Sequence, residues 1–347
     1  MTNQFSPPRL FDYATSELSQ DATLIWLLSW ADPKYKDTNK YLHECAKELI
    51  RLFTNKDANF KITSITPWKQ WESIDVWIEI NDCIELIIED KTSCSEHNDQ
   101  LERYKKIAEK WCKENNSTKK ELHFAYVKTR SFNNIERDWV ENTRKWKVFD
   151  RKDLLDVLTK YSSKITNDIF KDFYSYLYDL EQDELHFQET PVANWDENQI
   201  IGFFKSIENS DMIKGADWWH VNNPAGGFWC LWLPGFSSKQ DNYYYYFQFE
   251  NQKLVIKINI EDCEENMNRS ELRSLAISEL ESALSSDSIL YGSLKKPAKY
   301  GNGMHMTIKE IDEKVWLETD NKNHIKLKET LNKLKNLQNE LGRLLSK

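Results

Sequence analysis

Two apolar runs, Ile74-Asp-Val-Trp-Ile-Glu-Ile80 and Ile84-Glu-Leu-Ile-Ile-Glu-Asp-Lys91, stand three residues apart. No other feature limits the fold of this chain so tightly. Their isoleucines and valine suit a pleated strand better than a helix. The connection Asn81-Asp82-Cys83 is short enough to read as a hairpin. Side chains on a strand alternate faces. Ile74, Val76, Ile78 and Ile80 therefore share one face, which is expected to be buried, and Asp75, Trp77 and Glu79 share the other. In the second run Glu85, Ile87, Glu89 and Lys91 fall on one face, Leu86, Ile88 and Asp90 on the opposite one.

A three-residue loop pairs Ile80 with Ile84, and counting back sets Asp75 opposite Glu89. Directly opposed residues have Cβ atoms roughly 4.5–5.5 Å apart. A two-residue loop would instead set Glu89 opposite Ile74, on the wrong face. Two carboxylates that close repel unless a cation lies between them, and Mg²⁺ takes oxygen ligands. Lys91 emerges beside Glu89. An ammonium next to two carboxylates and a metal can position a water and stabilise charge on a phosphate. The Asp90 backbone carbonyl is placed as a further metal ligand. The competing reading is a polar sheet face with cross-strand ion pairs. The strand is otherwise apolar, so its charges need buried partners either way.

Around this hairpin the periodicity predicts helices over residues 15–30 (with Thr15 or Ser16 as cap), 39–53, 97–113, 151–160 and 165–180, and strands over 61–66, 122–127 and 146–149. Helix, strands, helix, strand, helix is an α/β sandwich pattern. A linker is expected over 182–194, which lacks periodicity and contains Pro191. Beyond it, strands are expected over 228–233, 242–250 and 253–260, a helix over 269–284 and an amphipathic helix over 326–345. That helix has a near-heptad leucine stripe, read first as core packing and second as a dimer seam. The domain assignment is 1–185 and 191–347, the latter an α+β accessory domain.

Gln100-Leu-Glu-Arg-Tyr104 follows the hairpin, and Gln100 and Tyr104, four residues apart, share a helix face. The pattern Asp75…Glu89-Asp90-Lys91 resembles the PD-(D/E)XK nuclease superfamily, and Gln100-Leu-Glu-Arg-Tyr104 is similar to the Q-h-x-x-Y motif of its RecB and Cas4-like exonuclease branch. Thr15-Ser-Glu-Leu-Ser-Gln-Asp-Ala22 is similar to the first helix of related bacterial proteins. The superfamily's proline before the acid is replaced here by Ile74. The resemblance covers residues 10–160 and none of 191–347. It implies a restriction-endonuclease-like core, a mixed central sheet flanked by helices, and a Mg²⁺- or Mn²⁺-dependent hydrolase acting on nucleic acid, DNA in the first instance, in bacterial DNA processing or defence. Asp75, Glu89, Asp90 and Glu17 would bind metal, with Asp21, one turn on, a weaker candidate. Lys91, Gln100 and Tyr104 would complete the catalytic set. Lys105, Lys106, Lys110 and Lys113 would seat the backbone. The rival expectation is an inactive module of the same fold that binds nucleic acid or a partner protein.

Composition sets outer limits. With 347 residues, 40% of them hydrophobic, the chain can bury two cores. Its net charge of −9 argues against a nucleic-acid partner, but residues 101–152 hold 15 Lys and Arg against 8 Asp and Glu. The six cysteines show no metal-ligand spacing. With no leader-like start and no membrane span expected, the expectation is a cytoplasmic location with reduced thiols. The aromatic region of Trp218, Trp219, Phe228, Trp229, Trp232, Phe236 and Tyr243 to Tyr246 reads as core or interface before it reads as a base-stacking surface. Gly226-Gly227 reads as a turn, and His97, near the motif, as a solvated helix-start residue before a metal contact.

Overall fold

The computed structural model describes every residue except 1–7, 15, 70, 93–98, 116–119, 224–225, 239–242, 262–267 and 346–347. Thr15, Cys94, His97 and Cys263 therefore lie outside the described residues. The chain divides into two compact units, Met1–Gln182 and Asp183–Lys347.

The first unit begins with helices α1 (Glu17–Ser29) and α2 (Lys40–Thr54). Asn39 caps α2 by accepting from Leu42 N–H at 3.1 Å, and Asn55 closes it in the left-handed conformation. Strands β1 (Ile65–Lys69), β2 (Val76–Ile80) and β3 (Ile84–Lys91) follow, then α3 (Gln100–Glu114), β4 (Glu121–Lys128), α4 (Asn134–Asp138), β5 (Lys147–Asp150), α5 (Arg151–Ser162) and α6 (Asp168–Leu185). The sheet runs β1-β2-β3-β4-β5. Its first three strands are antiparallel, while β4 and β5 join parallel to β3 and to each other. It is a mixed sheet with helices on both faces. Leu24, Leu49, Phe53, Leu158 and Phe173 pack against Val76, Ile78, Leu86 and Ile88 on one side. Leu101, Tyr104 and Ala108 of α3 pack against Trp77, Ile87 and Tyr126 on the other. Covered on both faces, β3 is buried at every position.

Three expectations need correction. Ile74 does not share the face of Val76 but packs with Trp77, because Glu72 and Ser73 take positive φ and β2 starts only at Val76. The strand expected over 61–66 forms four residues later, around Pro67, which β1 tolerates as an edge strand. The segment 182–194 is no linker. Helix α6 runs to Leu185, and Phe187, Val192 and Trp195 are buried in the second core. Apolar residues at irregular spacing anchor this segment without a period to reveal it.

The second unit contains α7 (Glu197–Glu208), β6 (Asp217–Val221), β7 (Phe228–Trp232), β8 (Phe236–Ser237), β9 (Tyr244–Glu250), β10 (Lys253–Asn259), α8 (Arg269–Ala283), β11 (Leu294–Lys295), β12 (His305–Ile311), α9 (Glu313–Trp316) and α10 (Leu327–Leu345). Its antiparallel sheet is ordered β11-β12-β10-β9-β7-β6, with β8 also on β9. The aromatic region divides: Trp218, Tyr243 and Tyr245 are buried, Trp229 and Phe236 pack half-buried against the core, and Trp219 and Tyr244 are exposed. Gly226 and Gly227, both with positive φ, form the turn expected of them. The leucine stripe of α10 is buried in its own unit through Leu331, Leu334, Leu337, Leu341 and Leu344. No helix among the described residues is long and apolar enough to cross a membrane.

Candidate active site

The hairpin between β2 and β3 adopts the three-residue loop. Ile80 pairs with Ile84 and Val76 with Ile88; Asp75, just before the first paired residue, has its side chain against Glu89. Asn81 and Asp82 take the left-handed conformation that their short polar side chains tolerate. Lys91 Nζ lies 2.5 Å from Glu89 Oε1 and 3.7 Å from Glu17 Oε2. The two flanking carboxylates also brace the end of β3. Asp75 Oδ2 accepts from Asp90 N–H and Glu17 Oε1 from Thr92 N–H, each at 3.4 Å. Asp75, Glu89, Lys91 and Glu17 thus converge where β3 leaves the sheet.

Asp90 points the other way. Its side chain is fully buried and accepts from Gln20, whose own oxygen accepts from Thr129 at 2.7 Å. Asp21, also from α1, is buried beside it. Burial first, and Asp21 second, hold the Asp90 carboxyl well above its ordinary range. Burial and the charge of Asp75 push Asp21 up to about 7. Of the two helical acids, Glu17 reaches Lys91, and Asp21 is drawn into the Asp90 network.

Gln100 and Tyr104 meet as their spacing predicts, with Gln100 Nε2 donating to Tyr104 Oη at 2.9 Å. Tyr104 is buried and donates in turn to the Ser73 carbonyl. The pair therefore fastens the loop two residues before Asp75. Burial, with Glu89 and Asp75 nearby, pushes its phenol up to about 12 despite the help of Gln100.

The same sheet face carries an internal control. Glu79 lies opposite Glu85 in the hairpin register, another acid facing an acid. There Lys120 Nζ bonds Glu85 Oε1 at 2.7 Å and also reaches Glu79, while Trp77 Nε1 donates to Glu85 Oε2 at 2.5 Å. Both Glu85 oxygens therefore have donors, and one lysine serves both acids. At Glu89 neither buried carboxylate oxygen has a well-aligned donor, because Lys91 approaches Oε1 closely but off the hydrogen-bonding direction. Burial, then the charge of Asp75, push Glu89 up to about 9. A proton on Glu89 turns its contact with Asp75 from repulsion into a hydrogen bond. Burial opposes the Lys91 charge, yet Glu89, Glu17 and Asp75 together hold its pKa above the ordinary value.

Among the described residues no three Asp, Glu, His or Cys side chains are gathered as a set that could hold a metal ion. What the site offers a cation is a donor set of oxygens only, with both buried oxygens of Glu89 unpartnered, while the unpartnered oxygens of Asp90 and Asp21 lie in the separate network around Gln20. That chemistry suits Mg²⁺ or Mn²⁺ and disfavours softer metals.

The expected basic residues divide. Lys105 is turned inward to the Arg144 carbonyl, and burial lowers its pKa. Lys106, Lys110 and Lys113 are exposed on α3. Lys106 and Lys110 line a shallow concavity with Arg103 and Arg144. Sequence reasoning missed a second buried cation. Lys128 lies beside Lys91 in the parallel β3–β4 register, and Tyr126 beside Glu89. Lys128 bonds Glu136 of α4 at 2.7 and 2.9 Å, and Tyr126 Oη donates to Glu136 at 3.0 Å. A lysine ending an apolar strand was the available signal, but its neighbour is set by a crossover connection rather than a local turn.

Comparison with protein-family models, with curated proteins and with solved structures finds no match for this chain.

Proposed function

We propose that this chain is a metal-dependent nuclease of PD-(D/E)XK type that hydrolyses phosphodiester bonds of nucleic acid, with DNA as the first substrate to test. The observation that carries this reading is the buried Glu89 carboxylate, with no aligned donor on either oxygen, lying against Asp75, with Lys91 and Glu17 converging on it. A purely structural acid pair on the same face, Glu79 and Glu85, shares one lysine and has donors on both Glu85 oxygens. The mixed sheet flanked by helices, with α1 supplying an acid, supports the restriction-endonuclease-like core that the motifs imply.

Asp75, Glu89 and the Asp90 carbonyl would hold the metal, with Glu17 completing the set. A bound Mg²⁺ or Mn²⁺ supplies Lewis-acid polarisation of the phosphate and a more acidic water. Lys91 keeps its charge at neutral pH, so it can orient an attacking water or neutralise charge developing on the phosphate. Gln100 and Tyr104 act at one remove by holding the Ser73 carbonyl and with it the approach to Asp75.

The test is a cleavage assay on linear, circular and single-stranded DNA in Mg²⁺ or Mn²⁺. Asp75→Ala and Lys91→Ala should each lower the rate by at least about 100-fold, with circular dichroism unchanged. Full activity in either variant overturns the assignment. The second reading, a nuclease fold that binds nucleic acid or a protein without cutting, draws on the Lys91 ammonium that already lies against Glu89. Binding of Mn²⁺ with no cleavage of any DNA or RNA selects it.

A further inference from the structure

We infer that Trp68 and Trp71 form a stacking step for an unpaired base beside the candidate active site, so that the substrate is a single strand or a splayed end rather than an intact duplex. This inference rests on the nuclease reading above. Trp68 lies opposite Trp77 in the β1–β2 register, and Trp77 is on the face that carries Asp75. Trp68 is 38% exposed, on an edge strand with no further strand beyond it among the described residues. Its ring is left accessible at the sheet edge, where a flat apolar partner can reach it. Its ring centroid is 6.3 Å from that of Trp71, which is 4.9 Å from Trp77 and 6.0 Å from Trp111. The row begins at an exposed ring and ends on Trp77, held in the core, with the half-buried Trp111 packed beside it, so the outer face of the step is backed by the core.

The row is also tied to the site. Trp71 lies two residues before Ser73, whose carbonyl Tyr104 holds, and four before Asp75. Trp68 pairs with Trp77, two residues beyond Asp75, which keeps the Cα atoms of Trp68 and Asp75 within about 12 Å of each other. A phosphodiester seated at Asp75 and Glu89 therefore presents an adjacent base or sugar within this distance. A base inside a duplex has both its faces covered by its neighbours. An unpaired base has a free π-face, and every base offers one to an aromatic ring. A second β-strand is a poorer occupant of this edge, because Pro67 stands beside Trp68 and lacks an N–H.

The experiment measures binding rather than cleavage. Fluorescence anisotropy in Ca²⁺ buffer follows labelled oligo(dT) and a labelled blunt duplex against the full-length wild type, Trp68→Ala and Trp68→Phe. Trp68 is the ring to change, because Trp71 packs against the core and its loss would disturb folding. Trp68→Ala should weaken oligo(dT) binding about tenfold and duplex binding much less, and Trp68→Phe should recover most of the loss. An equal loss on both nucleic acids, or no loss on either, overturns the stacking step while leaving the nuclease reading in place. Wild-type binding to neither overturns both. Selective loss on oligo(dT) in a chain that never cleaves supports the stacking step and sinks only the catalytic reading.

Discussion

Asp217, at the start of β6, is a carboxylate with too few donors. It is buried, one of its oxygens has no partner, and it faces Glu208. Burial, chiefly, raises its pKa from 3.8 to about 6, with Glu208 adding to the rise. The unfolded chain loses this proton near pH 4, the folded one near pH 6. Below about pH 4 both states are protonated and the residue costs nothing. Between the two values the folded state holds the extra proton, so stability falls as pH rises, and above about pH 6 the penalty is complete. Asp217→Asn should remove this slope and, by donating to Glu208, stabilise the protein by about 1–3 kcal/mol at pH 7. Urea titrations of both proteins from pH 4 to 8 should diverge up to about pH 6 and then run parallel. A constant difference across that range would refute the account.

Helix α3 and the hairpin show what one cation does at the scale of an element. Lys120, just before β4, is the only counter-charge recorded for Glu79 and Glu85 among the described residues, and it lies 4.8 Å from the centre of the Trp111 ring. Lys120→Met should cost about 3–5 kcal/mol, the usual result of stripping one partner from a buried ion pair. Adding Glu85→Gln should restore a large part of it in chemical denaturation, because the stranded charge is then gone. If the double variant is as weak as the single one, the loss belongs to packing rather than charge. This hairpin was legible in advance because everything that defines it is local. Period two, a three-residue loop and the i,i+4 spacing of Gln100 and Tyr104 need no long-range contact. The partners that escaped notice come through tertiary connections. Lys128 reaches Lys91 by a parallel crossover, Glu136 arrives on the short helix α4, and Gln20 meets Asp90 across 70 residues. Ile74 falls on the other face because strand alternation does not reach back beyond Val76, where β2 begins after the left-handed turn at Glu72 and Ser73. In the second unit β6 and β12 were overlooked: Asp217–Val221 is short with no clear alternation, and in His305–Ile311 the alternation of Met306 and Ile308 breaks at Lys309-Glu310.

Over the whole molecule, an acidic net charge of −9 coexists with the basic surface of α3. A uniformly acidic chain would repel a phosphate backbone, so this local patch is the surface expected to seat one, in a salt-sensitive way. Lys106 and Lys110 pair with Glu102 and Glu114 at 3.7 Å, exposed contacts that are easily exchanged for phosphate. The Lys106→Ala/Lys110→Ala double variant should weaken nucleic-acid binding evenly across sequences and flatten the slope of log K against log salt by up to about two. An unchanged slope would mean that the phosphates lie elsewhere.

Pro67 matters again when molecules crowd together. A free sheet edge is a template on which a neighbour can lay a strand of its own, and repetition of that step builds fibres. On β1 the proline ring removes one N–H from the middle of a five-residue edge, leaving two residues on either side. A run so short gives an incoming strand almost nothing to propagate along. This side of the first sheet is thereby guarded against polymerisation by its own backbone, whatever the salt does to the repulsion between molecules.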